Sequence, residues 1–82
     1  MTKQEIFCII KENILEILPD LPEESITIEE SLKNLGANSI DRMDIIVDTI
    51  ERLQLKIPLV EFGMLKNIGE IVDLLYEKKM GS

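Results

Sequence analysis

Residues 35–46 read LGANSIDRMDII, and on them turns where the chain bends and where its middle helix starts. Gly36 suits a helix-ending position that requires positive φ. Asn38 is a helix cap, with Asp41 three residues on, so a helix is predicted from Ser39 to Leu53. Projected at the helical period, Met43, Ile46, Ile50 and Leu53 share one side, expected to face the core. Asp41, Asp44, Asp48 and Glu51 line the opposite side. Ile40 and Val47 lie on the shoulder between them. They are either an apolar stripe wider than its minimum or an exposed patch rimmed by carboxylates. Ser39 opens this helix in a chain without histidine, which makes the purpose of its hydroxyl the central question.

Outward from this stretch the pattern is helical throughout. Thr2 and Glu5 stand in capping-box spacing before Ile6, Ile10, Ile14 and Ile17, an amphipathic helix stopped by Pro19. A long connection with two prolines follows; Thr27 and Glu30 are placed to cap one short turn, and Leu32 and Leu35 to point inward. Beyond the middle helix, Pro58 leads into a short helical segment where Val60, Phe62 and Leu65 are expected to reach the core. Asn67 and Glu70 cap a last helix whose Ile68, Ile71, Val72 and Leu75 face inward, with Lys78 and Lys79 suiting its C-terminal dipole. No strand pair or internal repeat is visible. The reading is all-α: three main helices plus one short one, a small four-helix bundle with a long first loop.

Composition narrows the function. The 82 residues suffice for one small domain, and its aromatics are only Phe7, Phe62 and Tyr76. A single Cys8 excludes an internal disulfide and any multi-cysteine metal site; amid "IFCII" it reads as a buried thiol. Lys3, Glu5, Lys11 and Glu12 interrupt any signal-peptide core, and no apolar run could span a bilayer, so a cytoplasmic protein without membrane attachment is expected. The net charge of -7 argues against nucleic acid. From Asp20 to Glu51 there are nine acids against Lys33 and Arg42 alone, whereas acids and bases balance elsewhere. The imbalance surrounds Ser39 and suggests a docking surface for basic partners.

Three readings of Ser39 follow. A nucleophile needs a base, and without histidine the usual dyad is impossible; "GANSID" is also not a nucleophile elbow, so no catalytic residue and no enzymatic activity are expected. The second reading is an ordinary serine at a helix start. The third is an attachment point: a first-turn hydroxyl near unpaired amides favours a phosphate ester, and Gly36 and Ala37 leave little bulk in front.

The run Gly36-Ala37-Asn38-Ser39-Ile40-Asp41, followed by the acidic helix, resembles the phosphopantetheine site of acyl carrier proteins. The likeness covers nearly the whole chain, through "SLKNLGA" and "KIPLVEF". Against the signature Gly-x-Asp-Ser-Leu, Gly36, Ser39 and Ile40 match, while Asn38 departs from the Asp of most members. The resemblance implies residues 1–80 as a single carrier domain, with 81–82 an appended tail. It further implies 4′-phosphopantetheine from coenzyme A on Ser39, with Mg²⁺ belonging to the phosphopantetheinyl transferase. Ile40, Asp41, Asp44, Val47, Asp48 and Glu51 become the partner-recognition helix of a monomeric carrier that does no chemistry itself.

Within the family, Asn38, Ile40 and Arg42 together look like the free-standing carriers of bacterial polyketide synthases, especially donors of β-branching cassettes. There the cargo is malonyl, decarboxylated to acetyl. The implied partners are an acyltransferase, a ketosynthase-like decarboxylase and a hydroxymethylglutaryl-synthase-like enzyme. A fatty-acid carrier is the alternative within the family. An unmodified acidic helical interaction module is the alternative outside it.

Overall fold

The computed structural model describes residues 1–81. Helix α1 spans Lys3–Ile17, and its start is the expected capping box: Glu5 N–H donates to Thr2 Oγ1 at 3.1 Å, and Thr2 N–H donates to Glu5 Oε1 at 2.9 Å. It ends because Pro19 disfavours the helical region for Leu18, which sits at φ -123°. Ile6, Ile10 and Ile14 are fully buried, as their spacing requires. Cys8 corrects its expectation: it is exposed, because a helix cannot turn five consecutive apolar residues inward, and Cys8 falls on the outer side.

The long first loop is a strap over the core. Its own Ile26, Leu32, Leu35 and Ala37 are the side chains it buries. Its only helical piece is a 3₁₀ turn at Glu23–Ser25; Thr27 caps nothing, and Glu30 N–H instead closes a backbone turn onto the Thr27 carbonyl. The Ile28 and Glu30 carbonyls serve another element, accepting from Gly69 N–H (2.8 Å) and Ile68 N–H (2.9 Å). A Cβ on Gly69 would stand 3.1 Å from the Ile28 carbonyl oxygen, a tight contact that favours glycine where the two backbones meet. The loop closes with Ala37 N–H to the Leu32 carbonyl and Gly36 N–H to the Lys33 carbonyl, a Schellman pattern with Gly36 at φ 104°.

Helix α2 spans Ser39–Leu53, a 3₁₀ turn spans Leu59–Phe62, and helix α3 spans Ile68–Gly81. All three main helices and the short fourth one stand where expected, with no strand among the described residues. Gly81 is the last residue of α3; Ser82, the other half of the expected tail, lies outside the described residues.

Two inward faces differ from expectation. In α2 the buried residues are Ile45, Thr49, Ile50 and Leu53, while Ile46 is half-buried and Met43 is 53% exposed. The inward face is centred on a polar pair: Asn13 of α1 donates to Thr49 Oγ1 at 2.8 Å, and Thr49 donates to the Ile45 carbonyl at 2.7 Å. Arg52 Nη1 completes the Asn13 amide at 3.3 Å. In the second 3₁₀ turn Phe62 is buried, but Val60 is 79% exposed, since a turn of three residues per revolution cannot point both inward.

Candidate functional site

Ser39 is the first residue of α2 and is exposed. Its position is set by Gly36 and Asn38 ahead of it. Gly36 turns the chain, and Asn38 Oδ1 accepts from Asp41 N–H at 2.8 Å while Asp41 Oδ2 receives Asn38 N–H at 3.3 Å. Asn therefore fills the capping role as Asp would. Asp41 is half-buried and tied to that cap, so its carboxylate serves the helix start first.

Arg42, one turn beyond the serine, donates from Nη2 to Ser39 Oγ at 3.2 Å. Both line a cavity of about 490 Å³, together with Met43, Ile46, Leu59, Phe62, Leu65, Ile71, Lys33 and Lys66. The same cavity is thus lined by Ser39 and by the buried Leu32, Phe62 and Ile71.

The other site residues spread along the outer side of α2. Ile40 is 72% exposed, which settles the shoulder question for that residue in favour of a surface patch. Val47 is half-buried, lining a shallow depression with Ile57, Pro58 and Leu59. Asp48 and Glu51 border a broader groove between α1 and α2, alongside Glu12 and Arg52. Asp44, Asp48 and Glu51 make no ion pair among the described residues, so three carboxylates remain free for a partner. Met43 joins Ile40 on the surface, and Leu59, Val60 and Met64 extend the exposed apolar side chains.

Sequence reasoning gives no role at the site to Lys33, Lys66 or Met43, and notes Arg42 without its contact to Ser39. Arg42 was legible, since three residues after Ser39 on a helix is the same face. Lys33 and Lys66 were not, because only the fold brings the loop and the segment before α3 together.

A small helical bundle that presents one capped, exposed serine beside a cavity, with free carboxylates along the helix behind it, is the architecture of a carrier domain. The family described as "Phosphopantetheine attachment site" matches residues 8–75, and the chain belongs to it: it is an acyl carrier protein. Its cofactor is covalently held 4′-phosphopantetheine, and its family is one of non-catalytic carriers. The polyketide biosynthesis acyl-carrier-protein AcpK of Bacillus subtilis (strain 168) is 46% identical over 95% of both chains. The acyl carrier protein of Exiguobacterium sibiricum is 32% identical over 92% of this chain and 95% of its own length. Among solved structures, a chain in the crystal structure of the curacin biosynthetic pathway HMG synthase in complex with acetyl donor-ACP matches with a TM-score of 0.87. It is 41% identical, and the match covers 95% of this chain and all of that one. No helix among the described residues is long and apolar enough to cross a membrane.

Proposed function

We propose that Ser39 is the attachment residue and that the protein is the acetyl-donor carrier of a polyketide β-branching cassette. It receives malonyl, which is decarboxylated to acetyl, and presents it to a hydroxymethylglutaryl-synthase-like enzyme. The observation that carries this reading is the joint likeness to a polyketide carrier at 46% and to a chain from an HMG synthase–donor carrier complex at 41%. Both exceed the 32% identity to a carrier known simply as an acyl carrier protein, which weighs against the fatty-acid alternative.

The residues at Ser39 fit the arm. The hydroxyl is exposed, a guanidinium stands 3.2 Å away where a phosphodiester needs a counter-charge, and the adjoining cavity is apolar at depth. The chemistry the arm supplies is a terminal thiol that holds acyl groups as thioesters. The chain contributes presentation. Asp44, Asp48 and Glu51 steer basic partner surfaces; Ile40 and Val47 supply the short-lived apolar contact, and Asp41 keeps the serine at a formed helix start. Exposed charge pairs contribute only about 0 to 1 kcal/mol each, so their chief effect is on encounter rate and register. That suits a carrier passed in turn from phosphopantetheinyl transferase to acyltransferase, decarboxylating ketosynthase homologue and synthase.

Incubation with coenzyme A and a promiscuous phosphopantetheinyl transferase, read by intact mass, tests the attachment. One phosphopantetheine is expected on the wild-type chain and none on Ser39→Ala. Loading of Ser39→Ala, or none of the wild type with several transferases, would overturn it. Transfer of acetyl to an HMG-synthase-like enzyme in preference to a fatty-acid ketosynthase tests the pathway.

A further inference from the structure

Acids outnumber bases sixteen to nine in this chain, yet no carboxylate lines the cavity at Ser39. Three cations do. Arg42 reaches in from α2, Lys33 from the first loop and Lys66 from the segment before α3. Most of the other bases are engaged: Lys3, Lys11, Arg52 and Lys78 each hold a carboxylate. Arg42, Lys33 and Lys66 hold none among the described residues, although each sits in a strongly acidic protein. Unpaired cations gathered from three segments around one cavity make its mouth a local anion site in a negative field.

We infer that Arg42, with Lys33 and Lys66 of the same cavity lining, clamps the phosphate of the Ser39-linked arm and so holds the resting arm over the cavity. This rests on the assignment of the arm to Ser39. The geometry supports it directly. Arg42 Nη2 already donates to Ser39 Oγ, and the non-bridging oxygens of a phosphodiester formed on that oxygen lie two P–O bonds beyond it, within the guanidinium's reach. The planar guanidinium can take two such oxygens at once, and the two lysines lining the same cavity add point charges. A clamped phosphate directs the first bonds of the arm toward the apolar wall formed by Met43, Leu59 and Phe62. Arg42, Lys33 and Lys66 are positioning residues: they touch the arm and not the reacting thioester.

The test uses the loaded protein in a Cys8→Ser background, because Cys8 is itself exposed and would take a thiol label. The phosphodiester is followed by ³¹P NMR and the arm's motion by a nitroxide on its thiol. Intact mass is checked first; absence of the phosphopantetheine gain on the wild type sinks the tether itself. With the gain present, Arg42→Gln should shift the ³¹P resonance and sharpen the nitroxide spectrum. Lys33→Gln/Lys66→Gln should do so less, and Arg42→Lys should retain part of the wild-type signal. Sodium chloride at about 0.5 M should move the wild type toward Arg42→Gln, since screening then acts within a few ångströms. If Arg42→Gln loads poorly, the salt titration of the wild type decides. A ³¹P shift and nitroxide spectrum indifferent to the variants and to salt overturn the clamp while leaving Ser39 as the tether.

Discussion

The amide of Asn13 and the hydroxyl of Thr49 meet 2.8 Å apart in the middle of the α1–α2 contact, each only 2% exposed. Among the described residues they are the two buried polar side chains of an otherwise apolar core, and every one of their buried polar atoms has a partner. Thr49→Val removes the acceptor of the Asn13 amide and should destabilise by about 1–3 kcal/mol in denaturant melts. Pairing it with Asn13→Leu should recover part of that loss, because no donor is then stranded. Strict additivity in the double-mutant cycle would show that the two residues act independently.

Two left-handed positions should respond in opposite directions to exchange. Gly36 stands at φ 104°, with nothing near its absent side chain, so Gly36→Ala meets backbone strain alone and should cost about 1–2 kcal/mol. Gln54 ends α2 at φ 57° without being glycine. Gln54→Gly relieves similar strain but adds freedom to the unfolded chain, leaving a net gain of about 0.5 kcal/mol. Shifts in denaturation midpoint at unchanged slope measure both.

Reversing Asp44 and Asp48 to Lys should slow loading and acyl transfer while leaving helical circular dichroism in place. Neither carboxylate has an ion-pair partner to lose within the described residues. The wild-type rate should also fall as salt rises, and the reversed variant should lose that dependence.

Val47 is half-buried and lies outside the buried core. Val47→Ala should therefore cost less than about 1 kcal/mol of stability. Its effect on affinity for the synthase, measured by titration calorimetry, should exceed that cost.

The capping box of α1 gives a pH signature. The Thr2 backbone N–H, and secondarily its hydroxyl, hold the Glu5 carboxyl below its usual range. A lowered folded value means the stabilisation is present above the ordinary glutamate value and is lost as pH falls through the folded one. Glu5→Gln should thus be less stable than wild type at neutral pH, and the two melting temperatures should converge under acid.

What was legible in the sequence was local. The caps at Thr2, Asn38 and Asn67 and the turn at Gly36 each depend on residues within one helical turn, whereas the pattern left Ile40 open and only the fold shows its exposure. The inward face of α2 was harder, because apolar residues cover much of its circumference and the residue at the centre of burial is Thr49. Its burial depends on Asn13, 36 positions earlier, which periodicity alone does not reveal. Ser39 and its acidic flank stood out by motif and charge. The cations around the cavity did not, because Lys33 and Lys66 become neighbours only on folding.

Fastening the opening amides of α3 to the Ile28 and Glu30 carbonyls has a mechanical corollary. Strap and third helix are one stiff unit, so swinging α3 outward would tear two backbone hydrogen bonds and drag the strap along. The short turn at Leu59–Phe62 is held to α3 by the part-exposed Glu61–Lys78 ion pair, a weaker tie, so room for a bulkier guest beside Ser39 comes more readily from that side.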